Sequence, residues 1–129
     1  TIPHLSNLLR EHAKTVSRRA NFSLNFKSIG NPIHLATHTQ QLIFFTFREI
    51  ISNVEKHAGA NHVEVLVIWN DGLLDISVAD NGKGFDHIVV SSSNGLKNIQ
   101  SRAAALNGSL QIDTAPGKGT SVVLLLPAT

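Results

Sequence analysis

Residues 63–80 constrain the fold more than any other stretch. Val63, Val65, Val67 and Trp69 alternate with Glu64, Leu66 and Ile68; Asn70-Asp71-Gly72 interrupts, and Leu74, Ile76 and Val78 resume the alternation. Two period-two apolar runs joined through Asp-Gly predict an antiparallel hairpin. The first strand is largely apolar on both faces. Asp80 continues the phase of Leu74, Ile76 and Val78, which places its carboxylate on the core side. A carboxylate there is costly unless it is hydrogen-bonded. Either the strand ends at residue 79 and Asp80 caps a turn, or Asp80 is an acceptor at the base of a pocket.

The remaining elements follow from periodicity. Leu5, Leu8, Leu9, Ala13 and Val16 recur at helical spacing between Pro3 and Arg19. Phe22, Leu24 and Phe26 alternate as a strand, and Gly30-Asn31-Pro32 breaks the chain. A long helix is expected from about Thr37 to Ala58, closed by Gly59. Residues 85–94 read as a loop, Leu96 to Leu106 as a helix stopped by Asn107-Gly108, and Leu110 to Leu126 as two strands about Pro116-Gly117-Lys118-Gly119. The order predicts an α+β, two-layer α/β sandwich: a mostly antiparallel mixed sheet with helices on one face.

With 129 residues, 42% of them apolar, the chain is expected to form one domain, 1–129. Its longest apolar run, Val122–Leu126, is far short of a membrane span. Beginning at Thr1 rather than Met, the chain reads as an excised fragment. The absence of cysteine excludes disulfides, thiolate metal sites and a cysteine nucleophile. The net charge of +2 is scattered, with Arg18-Arg19 the one adjacent basic pair, which argues against nucleic acid as a partner.

On the long helix, Ile43, Phe47, Ile50, Ile51, Val54 and Ala58 share a core face. Glu49, Asn53 and Lys56 fall on a neighbouring strip, at relative angles of about 0°, +40° and −20°, with His57 at its edge. The strip reads as a solvated flank or as a magnesium–phosphate site. In the second reading Asn53 offers an oxygen to the metal, Lys56 a cation to a phosphate, and Glu49 a general base. Gly82 and Gly84, after Asp80, allow backbone turns that side chains resist and let a flat ring come close. A calcium loop is disfavoured because glycines fill the third and fifth positions from Asp80. Asn94-Gly95-Leu96 opens a helix whose free N–H groups suit an anion, although an ordinary capped helix looks the same. Lys97, Asn98 and Arg102 read first as surface residues. His34 and His38 have a zinc-like i, i+4 spacing but lack a third ligand.

Four blocks in order carry a resemblance: "REIISNVEKHAGA" (48–60), "DNGKGFD" (80–86), "NGLKNIQSRAAALNG" (94–108) and "PGKGTSVVLLLP" (116–127). Together they resemble the catalytic ATP-binding domain of a sensor histidine kinase, in the subfamily that pairs with NarL-type response regulators. The resemblance implies a Bergerat-type sandwich that holds ATP and Mg²⁺ between its layers. Glu49, Asn53, Lys56 and His57 match the asparagine box, with Asn53 the magnesium ligand and Glu49 the candidate catalytic base. Asp80, Gly82 and Gly84 match the first glycine box, whose aspartate holds the adenine amine. Gly95 and Leu96 match the second glycine box, and Thr120 a threonine near the adenine.

The implied partners are the dimerisation and histidine-phosphotransfer domain of the same kinase and a response regulator. The implied setting is cytoplasmic, without direct membrane contact. Two features depart from the family pattern. The second glycine box has Ser93 and Asn94 before Gly95 where many members have Gly-x-Gly-Leu, and none of the seven histidines sits in a phosphoacceptor setting. Rival expectations are an ATPase or anti-sigma-type serine kinase on the same fold, and an interaction module that has lost ATP.

Overall fold

The computed structural model describes residues 5–84 and 94–127. Helix α1 (Leu5–Ala20) precedes strand β1 (Ser23–Ile29), and helix α2 (Thr37–Asn53) crosses over to β2 (His62–Asn70). β3 (Leu73–Asp80), α3 (Asn94–Ala105), β4 (Ser109–Thr114) and β5 (Thr120–Pro127) complete the chain. The strands form one sheet in the order β1-β2-β3-β5-β4. β1 runs parallel to β2, and the β2–β3, β3–β5 and β4–β5 pairs are antiparallel. The expected mostly antiparallel mixed sheet is therefore present. β5 inserts between β3 and β4, so the last hairpin returns to the middle of the sheet.

Turn chemistry explains several boundaries. Asp71 (φ 46°) and Gly72 (φ 77°) both adopt positive φ between the paired residues Asn70 and Leu73. That is the two-residue turn whose twist matches antiparallel strands. Helix α3 ends with Asn107 at φ 57°, the Gly108 N–H bonding back to the Ala103 carbonyl and the Asn107 N–H to that of Ala104. Such a left-handed cap satisfies carbonyls that the helix end leaves open. Asn21 (φ 59°) closes α1 in the same way, with Phe22 N–H bonded to the Ser17 carbonyl.

The helix expected to run to Ala58 changes character earlier. It is α-helical to Asn53, and Val54–Ala58 then winds as a π-helix before Gly59 ends it at φ 60°. A π turn is underwound, so Lys56 lags behind the angular position computed for an ideal α-helix.

Among the described residues, the core comes from α1, α2, α3 and one face of the sheet. Leu9, Phe47 and Ile99 pack in one cluster with Val63, Val65 and Val67 of β2, Leu74, Ile76 and Val78 of β3, and Leu124 of β5. On the other face of β2, Glu64 is exposed and Leu66 and Ile68 are only half-buried. The apolar character of that second face is not matched by full burial. Two buried hydroxyls are satisfied locally or across the core: Thr46 donates to the Leu42 carbonyl at 2.7 Å, and Ser6 accepts from the Trp69 indole at 3.1 Å.

Candidate functional site at the end of the central hairpin

Directly paired residues share a face of a sheet. Leu24, Val63, Asp80, Thr120 and Thr114 form one such row across all five strands. Val63 belongs to the core, so the row lies on the helix-covered face and turns polar from β3 outward. Strand β3 reaches Asp80, which settles the inward phase. Asp80 also caps its own loop, since the Gly82 N–H donates to its Oδ1 at 2.8 Å. The strand therefore does not end at residue 79, and Asp80 both faces inward and caps the turn that follows it. Burial pushes its carboxyl above the ordinary value, while the backbone N–H groups of Gly82 and Thr120 pull it back. On the neighbouring strands the hydroxyls of Thr114 and Thr120 lie 2.9 Å apart.

The loop after Asp80 is held from two sides. Asn81 Oδ1 accepts from the N–H groups of Asn61 (3.1 Å) and His62 (3.0 Å), and its Nδ2 donates to Asn61 Oδ1 at 2.6 Å. On the other side, the Gly117 N–H donates to the Lys83 carbonyl at 2.5 Å. Ala115 to Lys118 forms a turn with Pro116 second, Gly117 (φ 77°) third, and a Lys118 N–H to Ala115 carbonyl bond of 3.0 Å. A Cβ on Gly84 would overlap the Ala115 carbonyl, and one on Gly119 the Asp80 carbonyl. The two glycine-bearing loops therefore interlock backbone to backbone. Gly84, expected to make room for a ring, has this packing reason as well.

The helix strip divides. Glu49 and Asn53 are half-buried and Lys56 is exposed. Glu49 and Lys56 line one cleft of about 360 Å³ between α1, α2, the π turn and α3. Arg102 reaches this cleft from α3 and donates to the Phe45 carbonyl at 3.2 Å. Asn53 lines neither it nor a second cleft, of about 370 Å³, bounded by Ala79, Asp80, Asp113, Lys118 and Ser121. Thr114 and Thr120, which share the row of Asp80, also line this second cleft, beside Ala79 and Ser121 of the opposite phase. Gly95 and Leu96 fall in the first turn of α3, and His57 in the π turn. The side chains of His57 and Leu96, and the loop at 85–93, lie outside the described residues.

His34 precedes α2 and His38 sits in its first turn, so the two do not share a helical turn. Among the described residues no three His, Cys, Asp or Glu side chains cluster as a metal site. A magnesium ion takes oxygen ligands and keeps several from water and phosphates, and Asn53 carries one side-chain oxygen at the last residue of α2. Sequence reasoning missed the Asn81 clasp and the Gly84–Ala115 and Gly119–Asp80 contacts. Their partners lie about 20 or more residues away, and the one local hint was an Asn-Gly pair with no good strand behind it.

The sheet is mixed, packs its core against the helices on one face, and turns polar at one end of that face. A blue-light activated histidine kinase from Erythrobacter litoralis has the same fold, with a TM-score of 0.83 over 97% of this chain and 42% of that one, at 19% identity. The histidine kinase AdeS of Acinetobacter baumannii gives 0.77 over 97% of this chain and 64% of that one, at 12% identity. Residues 38–129 match the family described as histidine kinase-, DNA gyrase B- and HSP90-like ATPase, and the chain belongs to that family. Among curated relatives, the signal transduction histidine-protein kinase/phosphatase DegS of Brevibacillus brevis is 31% identical over 94% of this chain and 32% of that protein. The nitrate/nitrite sensor protein NarX of Escherichia coli is 34% identical over 72% of this chain and 15% of its own length. The chain thus spans a third or less of the curated relatives it matches.

Proposed function

We propose that this chain is the catalytic domain of a two-component sensor kinase. It binds Mg-ATP between the helical layer and the inner sheet face, and donates the γ-phosphate to a histidine on a separate dimerisation domain. The observation that carries this reading is Asp80: a half-buried acid on the helix-facing side, short of solvation and so suited to an adenine amino donor. Membership of the ATPase family and the histidine-kinase relatives support it.

In this reading Thr120, opposite Asp80, lines the adenine end, and Gly82 and Gly84 shape the loop beside it. Asn53 would hold a magnesium ion, which supplies charge neutralisation on the phosphates. Lys56 and His57 contact the phosphates, and Gly95 and Leu96 offer the N–H groups at the start of α3. Glu49 takes the proton from the attacking imidazole. Little covalent chemistry is asked of the protein in phosphoryl transfer, so positioning and charge carry most of the rate. A NarL-type response regulator is the proposed downstream partner, supported by the similarity to NarX. The proposed setting is cytoplasmic; among the described residues no helix is long and apolar enough to cross a membrane.

Two measurements test the proposal together. Calorimetry with ATP and Mg²⁺ is expected to show binding, and none at millimolar ATP would refute it. Labelled ATP with a phosphoacceptor domain is expected to label that domain's histidine, with little phosphate released by the chain alone. Rapid release without the acceptor would point to an ATPase instead.

A further inference from the structure

The cleft containing Glu49 holds more charge than a proton transfer needs. We propose that it is the docking groove for an acidic helix of the partner domain. This rests on the kinase reading and names the surface that the partner meets. Phe45, Arg48, Glu49, Ser52 and Lys56 form the floor, spaced along about three helical turns, on the order of 16 Å. α1 and α3 form the walls, so the groove has the shape that a further helix packs into.

Its charge is unbalanced. Arg19 is matched by Glu55 through two bonds, of 2.7 and 2.9 Å. With Lys56 given to the phosphates, that leaves Arg48 and Arg102 facing Glu49, the one remaining acid among the described lining residues. On the α1 wall the His12 pKa is lowered first by burial and then by Arg48 and Arg19, with Glu55 opposing them. Phe45 is 43% exposed, and the Arg48 guanidinium lies 6.0 Å from its ring centre. An exposed aromatic flanked by arginines is the composition of an interface anchor rather than of a plain solvated flank. The occupant that fits is a helix with carboxylates for Arg48 and Arg102 and an apolar side chain for Phe45. Seated there, it lies against Glu49, where a proton acceptor is needed.

The test uses two fluorescein-labelled helical peptides with the same leucine stripe, one carrying glutamates at i, i+4 and the other lysines. The glutamate peptide is expected to bind, more weakly as salt rises, and to move the His12 ring resonances. Arg48→Glu is expected to weaken it at least tenfold, and Phe45→Ala to weaken it in the same direction. Equal binding of both peptides, or glutamate-peptide binding that both variants leave unchanged, overturns the proposal. Arg48 is exposed, and a melting curve checks that Arg48→Glu still folds. Mg-ATP titrations run in parallel separate the two readings. Peptide binding without nucleotide binding sinks the kinase reading alone, and nucleotide binding without peptide binding sinks the groove alone.

Discussion

Asp80 and Thr120 stand directly opposite each other in the β3–β5 ladder, an acid facing a hydroxyl on the inner side of a sheet that is otherwise apolar along both strands. The acid is held there at a cost. Its folded-state pKa is raised by burial, so the folded protein binds its proton more readily than the unfolded chain does. The contribution to stability is then complete below the unfolded carboxyl pKa, and is lost as pH rises through the higher folded value.

Asp80→Asn is therefore expected to keep the fold and to raise, or leave unchanged, the melting temperature at pH 7. The amide oxygen still accepts from Gly82. The difference from wild type should shrink as pH falls toward about 4, where the acid is itself protonated. Nucleotide affinity should move the other way. Losing a hydrogen bond to a charged acceptor costs about 1.5–3 kcal/mol, on the order of ten- to a hundredfold. Melts between acid and neutral pH, with an ATP titration, check both. Unchanged affinity would remove the adenine role from Asp80.

Gly84→Ala tests the interlocked loops. The residue sits at φ 69° and its missing Cβ is the space taken by the Ala115 carbonyl. Strain of the left-handed backbone is about 1–3 kcal/mol, and the overlap with backbone adds to it. Gly119→Ala should behave alike, because its Cβ meets the Asp80 carbonyl. Gly59→Ala is the control: φ is 60° but nothing lies within 4 Å of the added atom, so the cost should stay near 1–2 kcal/mol. Denaturant melts of the three variants give the order. Equal destabilisation would mean that the loop contact is not the constraint.

These contacts mark where sequence reading stops. The phases of β2 and β3, the Asp71-Gly72 turn, the Gly59 stop and the Asn107-Gly108 cap are local, and each was legible from periodicity and turn chemistry. The inward placement of Asp80 was legible for the same reason. The insertion of β5 between β3 and β4 was not, because no local pattern names a strand's partner. Asn81 looked like a turn residue, yet its side chain bonds to residues 61 and 62. The π turn after Asn53 was hidden because "NVEKHA" has ordinary helical residues, so the angle drawn for Lys56 assumed a regular α-helix where the chain is underwound.

His12 offers a titration free of any ligand. Burial against Phe44 and Phe47, whose rings lie 5.7 and 6.4 Å away, and the charges of Arg48 and Arg19 together lower its pKa below 6.5; Glu55 opposes them. The unfolded chain then takes up this proton first as pH falls, so the protein should lose stability below the unfolded histidine value. Arg48→Ala should raise the His12 pKa without displacing the ring. NMR titration of the ring protons reads this directly. A pKa at or above the ordinary value would show that the groove's positive field does not reach α1.

Glu49→Gln separates binding from transfer. The side chain is half-buried in the groove between Arg48 and Lys56, and glutamine keeps its size while losing its capacity to take a proton. In the proposed mechanism Glu49 meets the attacking imidazole rather than the adenine, so Mg-ATP affinity should stay at the wild-type level. Phosphoryl transfer to the acceptor histidine should slow by about 10²-fold or more, the usual contribution of a positioned base. Single-turnover labelling of a phosphoacceptor domain, alongside calorimetry of the same variant, measures the two separately. Transfer at the wild-type rate would leave Glu49 without a catalytic role, and would return that residue to the plainer reading of a solvated helix flank.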